Sequence, residues 1–497
     1  MTQWLAIGIY FIVMLAIGLF AFRTSTSNTS GYLLGGRQVS PQVTALSAGA
    51  SDMSGWMLMG LPGAMFIAGF DTLLIAVGLL VGAWANYQLV APKLRVYTEV
   101  AGDALTLPEF FSNRFGDSAM AIRITSAIII VLFFTLYTSA GLVAGGKLFE
   151  SAFNVDYTIG LWVTLIVVIS YTLLGGFLAV SLTDFVQGCI MFIALVLVPY
   201  VALSQFDSVN QMYTAATASI PDIDNAVSGL TILGIISSLA WGLGYFGQPH
   251  IVVRFMAIRS IRDISVARRI GISWMFITIV GALSTGFVGV AYVNAFGLAI
   301  DDPETIFIVF SQILFHPFIS GFLLAAILAA VMSTISSQLL VSASSLAEDL
   351  FSVMRPTSNN DKTRGVLIGR CGVVCVGVIA ALIALDQSNS VLGIVSSAWA
   401  GFGAAFGPLV LCCLYKKNLT HKAAITGIVT GAFTVLLWRY APILEQGKTL
   451  SSIMYEIVPG FIVSYVSIFI VSALDSKPKS EVRADFDKTQ HLVNKFS

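Results

Sequence analysis

Long apolar stretches recur along almost the whole of this 497-residue chain. Many of them approach the roughly 20 residues that an α-helix needs to cross the hydrocarbon core of a bilayer. Apolar residues make up 57% of the chain and charged residues 10%, against roughly 25% charged residues in an average soluble domain. Only helices and closed barrels satisfy the backbone inside lipid. Apolar stretches of this length therefore predict an all-α polytopic membrane protein.

We divide the apolar stretches into 13 transmembrane helices. Their boundaries carry errors of a few residues. The predicted ranges are 4–22, 41–68, 72–92, 121–147, 158–177, 184–204, 229–253, 272–294, 317–347, 366–386, 390–414, 423–440 and 454–473. An odd number of spans places the two ends of the chain on opposite sides of the membrane.

The distribution of Lys and Arg predicts which end lies outside. All but three of the 26 basic residues fall on the same side as the C-terminus, and the exceptions are Lys147, Arg439 and Lys448. Cytoplasmic loops carry the excess of basic residues. We therefore predict an N-terminus outside and a cytoplasmic C-terminus. The formal net charge of zero argues against a nucleic-acid partner.

An aspartate stands inside the second predicted span. Asp52 belongs to the run from Ser47 to Gly63, SAGASDMSGWMLMGLPG. A carboxylate at mid-membrane depth costs roughly 2.5 to 3.5 kcal/mol on insertion scales, so it usually faces a partner charge, a cavity or an ion. The glycines and Pro62 predict a broken helix here. Because unpaired backbone groups are tolerated in a bilayer only where they line a cavity or lie within protein, the run predicts a binding site.

A second break is predicted five spans later. The run from Trp241 to His250, WGLGYFGQPH, contains three glycines and Pro249. Gly costs a helix about 1 kcal/mol and Pro about 3 kcal/mol relative to Ala. Five is an odd number, so a repeat of five helices re-enters the membrane from the opposite side. This is the inverted-topology arrangement of many secondary transporters, in which two broken helices meet near the midplane.

The inverted repeat divides the chain into five regions. We predict an extra N-terminal helix and cytoplasmic loop at 1–40 and a first repeat at 41–205. A second repeat follows at 206–415, then two C-terminal helices at 416–474 and a solvated cytoplasmic tail at 475–497.

Hydroxyl groups are dense in the span that begins near residue 317. Ser333 and Thr334 are adjacent there, and neutral oxygens of this kind suit sodium, which is a hard cation. Ordinary hydrogen bonding between helices, worth less than about 2 kcal/mol for each side chain, is the alternative, and the residues alone leave both open. Asp184, at the start of the sixth predicted span, is interpreted as a helix N-cap. The alternative is a station for a departing cation.

Aromatic residues accompany both breaks. Trp56 follows the first break, Trp241 and Tyr245 lie in the second, and Tyr137 lies in the fourth span. Membrane aromatics often only pack or sit at the interface, but at a break their rings can shelter a solute and face an ammonium group. No Ser-His-Asp, metal-ligand or phosphate-loop constellation is apparent. The chain is therefore not predicted to be an enzyme.

Several segments resemble the sodium:solute symporter family from about Gly31 to Gly460. They are TALSAGASDMSGW from Thr44, LTLPEFFSNRF from Leu105, YTLLGGFLAVSLTD from Tyr171, WGLGYFGQPHIVVRFMA from Trp241, ILAAVMSTISSQLL from Ile327 and AWAGFGAAFGP from Ala398. The aromatic-rich run from Trp241 is more similar to the proline branch of that family than to its sugar branch. The resemblance implies a LeuT-type fold of five-plus-five helices, with the first and sixth core helices broken, in a bacterial plasma membrane.

The resemblance also implies roles for particular residues. Sodium would be bound by a set of carbonyl and hydroxyl oxygens, with Asp52 needed directly or through its local field and Ser54 nearby. The implied ligands are the carbonyls of Ala50, Met53 and Ala330 and the hydroxyls of Ser333 and Thr334. The implied proline pocket is lined by Trp56, Tyr137, Trp241, Tyr245 and Pro249.

The resulting hypothesis is electrogenic symport of sodium and L-proline into the cell by alternating access. The expected partners are the solute, the sodium ion and the lipid bilayer, and no obligate protein partner is indicated. One rival hypothesis is sodium-coupled symport of another amino acid or a monocarboxylate. A rival of a different class is a channel or a solute sensor that does not transport.

Overall fold

The computed structural model describes residues 2–24, 31, 34–116, 120–218, 230–351, 362–387 and 390–496. These residues are almost entirely helical, and their one β-feature is an isolated bridge between Val39 and Ile258. The predicted all-α class is confirmed. The α-helices are α1 (Thr2–Thr24), α2 (Pro41–Asp52), α3 (Leu61–Ala68), α4 (Thr72–Ala85), α5 (Ala91–Val100), α6 (Leu107–Phe115), α7 (Met120–Phe153), α8 (Tyr157–Leu203), α9 (Val209–Thr217), α10 (Ile232–Leu239), α11 (Pro249–Ala257), α12 (Ile264–Phe296), α13 (Ile306–Ile313), α14 (Pro317–Ser344), α15 (Lys362–Ile383), α16 (Val391–Tyr415), α17 (His421–Tyr440), α18 (Ile457–Leu474) and α19 (Ser480–Phe496).

Within the described part of the chain, nine helices are long and apolar enough to cross a membrane. One of them is a continuous stretch from Trp56 to Val100, which joins parts of the second and third predicted spans. Four further apolar helices are shorter than 18 residues. The multi-pass architecture is therefore established, whereas the count of 13 spans stays a prediction.

The second predicted span is broken where the sequence indicates. Helix α2 ends at Asp52, and Met53 leaves helical geometry with φ −82° and ψ 79°. A π-helical turn, Trp56–Gly60, then leads into α3. Pro62 has no N–H to donate to the preceding turn, and the N–H of Leu61 bonds five residues back to the carbonyl of Trp56. Proline thus favours this wide turn.

The seventh predicted span is broken as well. Helix α10 runs into a 3₁₀ segment, Ala240–Gly247, and Gln248 is extended before α11 begins at Pro249. The predicted start of this span at residue 229 lies outside the described residues. The backbone of α4 approaches the 3₁₀ segment closely, since a Cβ atom added to Gly82 would lie 2.2 Å from the carbonyl oxygen of Gly242.

Helix α14 forms the centre of the packed core. Its residues from Leu323 to Leu340 are all buried, and it packs against α1, α7, α8 and α2. Two polar contacts fix this helix laterally. Tyr171 donates to the carbonyl of Met332 over 2.8 Å, and the hydroxyl of Tyr10 on α1 donates to the sulfur of Met332 over 3.5 Å.

The start of the sixth predicted span is wrong. Helix α8 turns at Gly176, whose φ of 58° and ψ of −158° few other residues adopt. The span therefore begins near Gly176 rather than at residue 184. Asp184 lies inside the helix, about two turns beyond this point, and is not a helix N-cap.

The prediction of a solvated tail is also wrong. Residues 480–496 form the amphipathic helix α19, which packs against α5. Phe486 is buried, and its ring lies edge-on to Tyr97 with centroids 6.3 Å apart. The guanidinium of Arg114 lies 5.6 Å from the same ring. This helix is difficult to predict because the segment is short and polar and has few apolar residues. The buried ones, Val482, Phe486 and Val493, share one face of the helix.

Two connections predicted as loops contain short helices. Helix α9 lies within 205–228, of which residues 219–228 are outside the described residues, and α13 lies within 295–316. Helix α13 is preceded by a turn at Pro303–Thr305 that packs on α3.

Candidate functional site

The two breaks meet at Asp52. Tyr245, in the 3₁₀ segment, donates its hydroxyl to Oδ2 of Asp52 over 2.5 Å. The carbonyl of Asp52 accepts from Nε1 of Trp56 at 3.0 Å and from the hydroxyl of Tyr137 at 3.3 Å. All four side chains are at most 3% exposed. The structure thus brings together three of the predicted aromatic residues around the acid at the first break.

A cluster of oxygens lies between α2 and α14. The hydroxyl of Ser333 is 2.7 Å from the carbonyl oxygen of Ala50 and 3.0 Å from that of Ala330. The hydroxyl of Thr334 is 3.1 Å from the same Ala330 oxygen. Four of the five ligands that the family resemblance implies are therefore within hydrogen-bonding distance of another member of the set.

The break releases the Ala50 carbonyl for this contact. In a continuous helix the N–H of Ser54 would bond to Ala50, but here it bonds to the carbonyl of Asp52 over 3.0 Å. Ser54 also accepts a long hydrogen bond of 3.5 Å from the N–H of Trp56. Because the N–H of Ser54 bonds to Asp52, the carbonyl of Ala50 is left available to the oxygen cluster.

Met53 and Asp52 occupy different positions relative to this cluster. Met53 is the first residue beyond α2, and its sulfur accepts from the hydroxyl of Thr278 at 3.5 Å. The carboxylate of Asp52 contacts Tyr245, whereas Ser333 contacts the carbonyl two residues earlier in α2. The ligand roles of all the implied residues, Met53 and Asp52 included, stay predictions.

The remaining aromatic residues form a second layer. Trp241 stacks on Tyr455 with centroids 5.2 Å apart, and Tyr245 lies edge-on to Trp399 at 5.0 Å. Trp399 donates to the carbonyl of Trp241 over 2.8 Å, and Gln248 donates to the carbonyl of Trp399 over 3.2 Å. Sequence reasoning missed the parts played by Trp399, Gln248 and Tyr455. Trp399 lies within the AWAGFGAAFGP segment, which was a usable signal.

Pro249 lies apart from this aromatic group. It begins α11 and lines a separate small cavity with Phe177, Leu340 and Ser345. Ser344, the last residue of α14, lines the same cavity.

An ion pair lies one helical turn from the oxygen cluster. Nη2 of Arg254 is 3.0 Å from Oδ2 of Asp184, and both side chains are at most 2% exposed. Ser47, one turn before Ala50, donates to the same carboxylate oxygen over 2.7 Å. Ser337, one turn beyond Ser333, is 2.5 Å from the guanidinium. Burial of two charges is tolerated when they are paired, but Oδ1 of Asp184 is buried and has no hydrogen-bond partner among the residues that the structure describes.

The predicted seventh span ends at residue 253 and leaves Arg254 in the loop that follows, and this placement is wrong. Arg254 lies in α11 and its guanidinium is enclosed between α2, α8 and α14. The helix continues to Ala257, four residues beyond the predicted end of the span. Hydropathy ends the span too early because it counts Arg254 as a charged residue, although the ion pair allows its burial.

A large cavity lies beyond the first break, near the end of α7 that contains Lys147. Its volume is about 1040 Å³, and Gly60, Lys147 and Glu304 are among the residues that line it. Lys147 is 2.8 Å from the carboxylate of Glu304, which also accepts the N–H groups of Val391 and Leu392 at the start of α16. A carboxylate at a helix N-terminus satisfies donors that have no partner within the helix.

Two broken helices that meet beside a buried acid, within a multi-pass helical bundle, define a secondary transporter of the LeuT type. The chain belongs to the sodium:solute symporter family, whose family model matches residues 32–431. It is 54% identical over 474 residues to the osmoregulated proline transporter OpuE of Bacillus subtilis, with 95% of each chain covered. It is 50% identical over 497 residues to a sodium/proline symporter of Staphylococcus aureus, with 99% of this chain and 96% of that protein covered.

Solved structures agree on the fold. A sodium-coupled sialic acid symporter in a substrate-bound, outward-open state gives a TM-score of 0.79 at 18% identity, covering 96% of this chain and 99% of the other. A nucleobase-cation-symport-1 family transporter in a closed conformation gives a TM-score of 0.53 at 14% identity, covering 93% and 99%. These likenesses place the LeuT-type fold on almost the whole chain.

Proposed function

We propose that this protein is a symporter that carries L-proline into the cell together with sodium by alternating access. The observation that carries the proposal is the oxygen cluster of Ala50, Ala330, Ser333 and Thr334 beside the first break. Oxygen donors of this type suit a hard monovalent cation. The relatives at 50% identity or more, whose names specify proline, support the choice of solute.

The sodium ion would bind between α2 and α14. The proposed ligands are the carbonyls of Ala50, Met53 and Ala330 and the hydroxyls of Ser333 and Thr334. A sodium ion takes lone pairs from both kinds of oxygen, so the Ser333 hydroxyl would turn its hydrogen away from Ala50 when the ion binds. Because the ligands come from two helices, the bound ion would favour the arrangement in which α2 and α14 remain together.

L-Proline would bind at the aromatic residues around the two breaks. Its carboxylate would accept from backbone N–H groups freed by the breaks, where helix N-termini favour negative charge. Its ring would pack against Trp56, Tyr137, Trp241 and Tyr245, and its ammonium group would face their rings. Pro249, which lines a separate small cavity at the start of α11, is left out of this proposed pocket.

The proposed coupling supplies enough free energy for accumulation. One sodium ion crossing about 100 mV releases roughly 2.3 kcal/mol, and a tenfold sodium gradient adds about 1.4 kcal/mol. Together they would sustain a proline gradient of roughly 500-fold at one-to-one coupling. Asp184, one turn from the oxygen cluster, is proposed as a station for the ion on its way to the cytoplasm.

The predicted regions and orientation complete the proposal. We assign the two inverted repeats to 41–205 and 206–415, preceded by 1–40 and followed by the helices of 416–474 and the tail of 475–497. The N-terminus would lie outside and the C-terminus in the cytoplasm. Support comes from Arg37 and Arg95, which bond to the carbonyls of Met256 and Ile258 at the same end of the bundle, in keeping with basic residues gathered on the cytoplasmic face. The membrane would be the plasma membrane of a bacterium.

The test is uptake of radiolabelled L-proline by proteoliposomes of the purified protein. We expect uptake above the equilibrium level with an inward sodium gradient, and none with a proton gradient or without a gradient. Uptake that only equilibrates would indicate a channel, and sodium-driven uptake of a different amino acid or a monocarboxylate would correct the solute.

A further inference from the structure

Helix α1 is attached to the helix that carries Ser333 and Thr334. It lies outside the two proposed repeats, yet it packs against both α14 and α8. The backbones of α1 and α14 approach closely at one point, where a Cβ atom added to Gly321 would lie 2.6 Å from the carbonyl oxygen of Gln3. Nε2 of Gln3 also donates to the hydroxyl of Ser320 over 3.0 Å. These contacts join α1 to the start of α14.

A second contact between the same two helices lies next to the proposed sodium ligands. Tyr10 is 6% exposed, and its hydroxyl donates to the sulfur of Met332 over 3.5 Å. The same hydroxyl accepts from Nε2 of Gln187 on α8 over 2.8 Å. A phenol has one O–H hydrogen and can also accept, so the bond from Gln187 leaves that hydrogen for the sulfur. Met332 directly precedes Ser333 in α14.

Met332 is held from two sides. Tyr171 of α8 donates to its carbonyl over 2.8 Å, whereas Tyr10 of α1 contacts its sulfur. Met332 is fully buried. A methionine side chain has three rotatable bonds and adapts to its surroundings, so the bond to its carbonyl is needed to fix the backbone at the same residue. Rotation of α14 about its axis would break or lengthen both bonds.

The rotation of α14 decides where the hydroxyl of Ser333 lies. Met332 faces α1 and α8, whereas the Ser333 hydroxyl is 2.7 Å from the carbonyl oxygen of Ala50 on α2. The Cα atoms of a helix lie about 2.3 Å from its axis and side-chain oxygens lie further out, so a rotation of about 20° moves such an oxygen by roughly 1 Å. Binding groups have to stay within about 0.5 Å of their working positions. A rotation of this size would therefore remove Ser333 from the ligand position.

We propose that Tyr10 is a positioning residue for sodium binding. Through Met332 it fixes the rotation of α14, and this keeps the Ser333 hydroxyl opposite the carbonyl of Ala50. The inference rests on the proposed function, because it takes Ser333 as a sodium ligand. It adds that α1, which lies outside the two proposed repeats, is required for the affinity for sodium.

The test is the sodium dependence of radiolabelled L-proline uptake by proteoliposomes that contain Tyr10→Phe. This change removes one oxygen and keeps the ring. We expect the sodium concentration for half-maximal uptake to rise about three- to tenfold, as for the loss of one hydrogen bond. The maximal rate at saturating sodium should stay near wild type, because a high concentration of the ion compensates for weaker binding. A merely structural role would lower the maximal rate and leave that sodium concentration unchanged, and this result would overturn the proposal.

Gln3→Leu is the matched control. It removes the bond to Ser320, which joins the same two helices 13 residues before Ser333. We expect this variant to keep the wild-type sodium requirement. A rise equal to that of Tyr10→Phe would show that any loosening of α1 has the same effect, and the assignment to Tyr10 would be wrong.

Met332→Leu tests the same contact from α14. It removes the sulfur at similar volume, and Gln187 keeps its bond to Tyr10. We expect a rise in the sodium requirement similar to that of Tyr10→Phe. The double variant should show no further rise, because both changes remove one interaction. An unchanged requirement in Met332→Leu, or rises that multiply in the double variant, would contradict the proposed route through Met332.

Ser333→Ala separates this inference from the proposed function. An unchanged sodium requirement in Ser333→Ala would remove the proposed ligand and the inference with it. A raised requirement in Ser333→Ala, together with wild-type behaviour of Tyr10→Phe, would overturn the inference alone.

Discussion

Arg254 and Asp184 form an ion pair of 3.0 Å that is almost completely enclosed by four helices. The pair joins α11, which follows the second break, to α8, and Ser47 and Ser337 extend it to α2 and α14. It lies one turn from the proposed sodium ligands on both of these last helices. If α2 or α11 moves during transport, the ion pair therefore has to break or α8 has to move with these helices.

Loss of either charge of this pair should destabilise the protein. Asp184→Asn leaves Arg254 buried without a counter-charge, and Arg254→Gln does the same to Asp184. Breaking a buried pair costs about 3 to 5 kcal/mol, because one charge remains uncompensated. We expect each variant to lower the unfolding temperature in detergent, followed by tryptophan fluorescence. The double variant should regain part of the loss, and a double variant whose losses simply add would show that the two charges are not coupled.

The hydroxyls at the oxygen cluster should govern the sodium requirement. Ser333→Ala and Thr334→Ala each remove one proposed ligand, and we expect the sodium concentration for half-maximal proline uptake to rise at least tenfold. Ser336→Ala is the matched control, since the buried Ser336 hydroxyl bonds to the carbonyl of Ser333 over 3.1 Å within α14. The hypothesis fails if the control and the ligand variants show the same sodium dependence.

The hydroxyl of Tyr245 should matter more than its ring. Tyr245→Phe keeps the edge-on contact with Trp399 but removes the hydrogen bond to Asp52. Hydrogen bonds to charged groups contribute about 1.5 to 3 kcal/mol, so we expect roughly a tenfold or greater loss of apparent affinity for sodium or proline in uptake assays. Tyr157→Phe, which removes a 2.7 Å bond to the carbonyl of Ala384, should leave both affinities near wild type. Equal effects of the two variants would point to general destabilisation.

Glycine at position 82 should be required for the approach of α4 to the second break. A Cβ there would lie 2.2 Å from the carbonyl oxygen of Gly242, so Gly82→Ala has to displace one backbone from the other. Overpacking of this kind costs about 1 to 3 kcal/mol. We expect a lower unfolding temperature for Gly82→Ala and no loss for Gly8→Ala, where no atom lies within 4 Å of the added methyl group. Equal stability of the two variants would show that the close approach is not needed.

Helix α19 should be released by a charge on its buried face. Phe486→Asp places a carboxylate against Tyr97 and should expose the basic residues of the tail to trypsin. Ala484→Asp puts the same charge on the exposed face and is the control. We expect faster cleavage within 480–496 for Phe486→Asp only, and equal rates would contradict the docking of α19.

Much of the fold can be predicted from the sequence, because lipid imposes simple rules. Hydropathy indicates the helical class, and Gly and Pro indicate both breaks. The start of the sixth span cannot be found in this way, since nothing in hydropathy marks Gly176 as the residue that adopts a positive φ. The docked helix α19 is missed for a different reason. Its stability depends on contacts with α5 rather than on its own polar sequence.

The candidate functional site can be predicted only in part, because some of its residues are defined by tertiary contacts. Asp52, Ser333 and the aromatic residues stand out because polar or aromatic groups at breaks are unusual in an apolar span. Arg254 does not stand out, because an arginine near the end of a span is normally assigned to the loop. Its burial is decided by Asp184, which is 70 residues away in the sequence, and a pairing between such distant residues requires the tertiary structure.

Binding of radiolabelled L-proline to the purified protein, with sodium or with choline as the only monovalent cation, tests the central claim most directly. If sodium and proline occupy coupled sites at the two breaks, sodium should raise the affinity for proline at least tenfold. Proline should raise the affinity for sodium by the same factor, since coupling between binding sites is reciprocal. The increase should disappear in Ser333→Ala with Thr334→Ala. Equal affinity for proline in sodium and in choline would contradict the account.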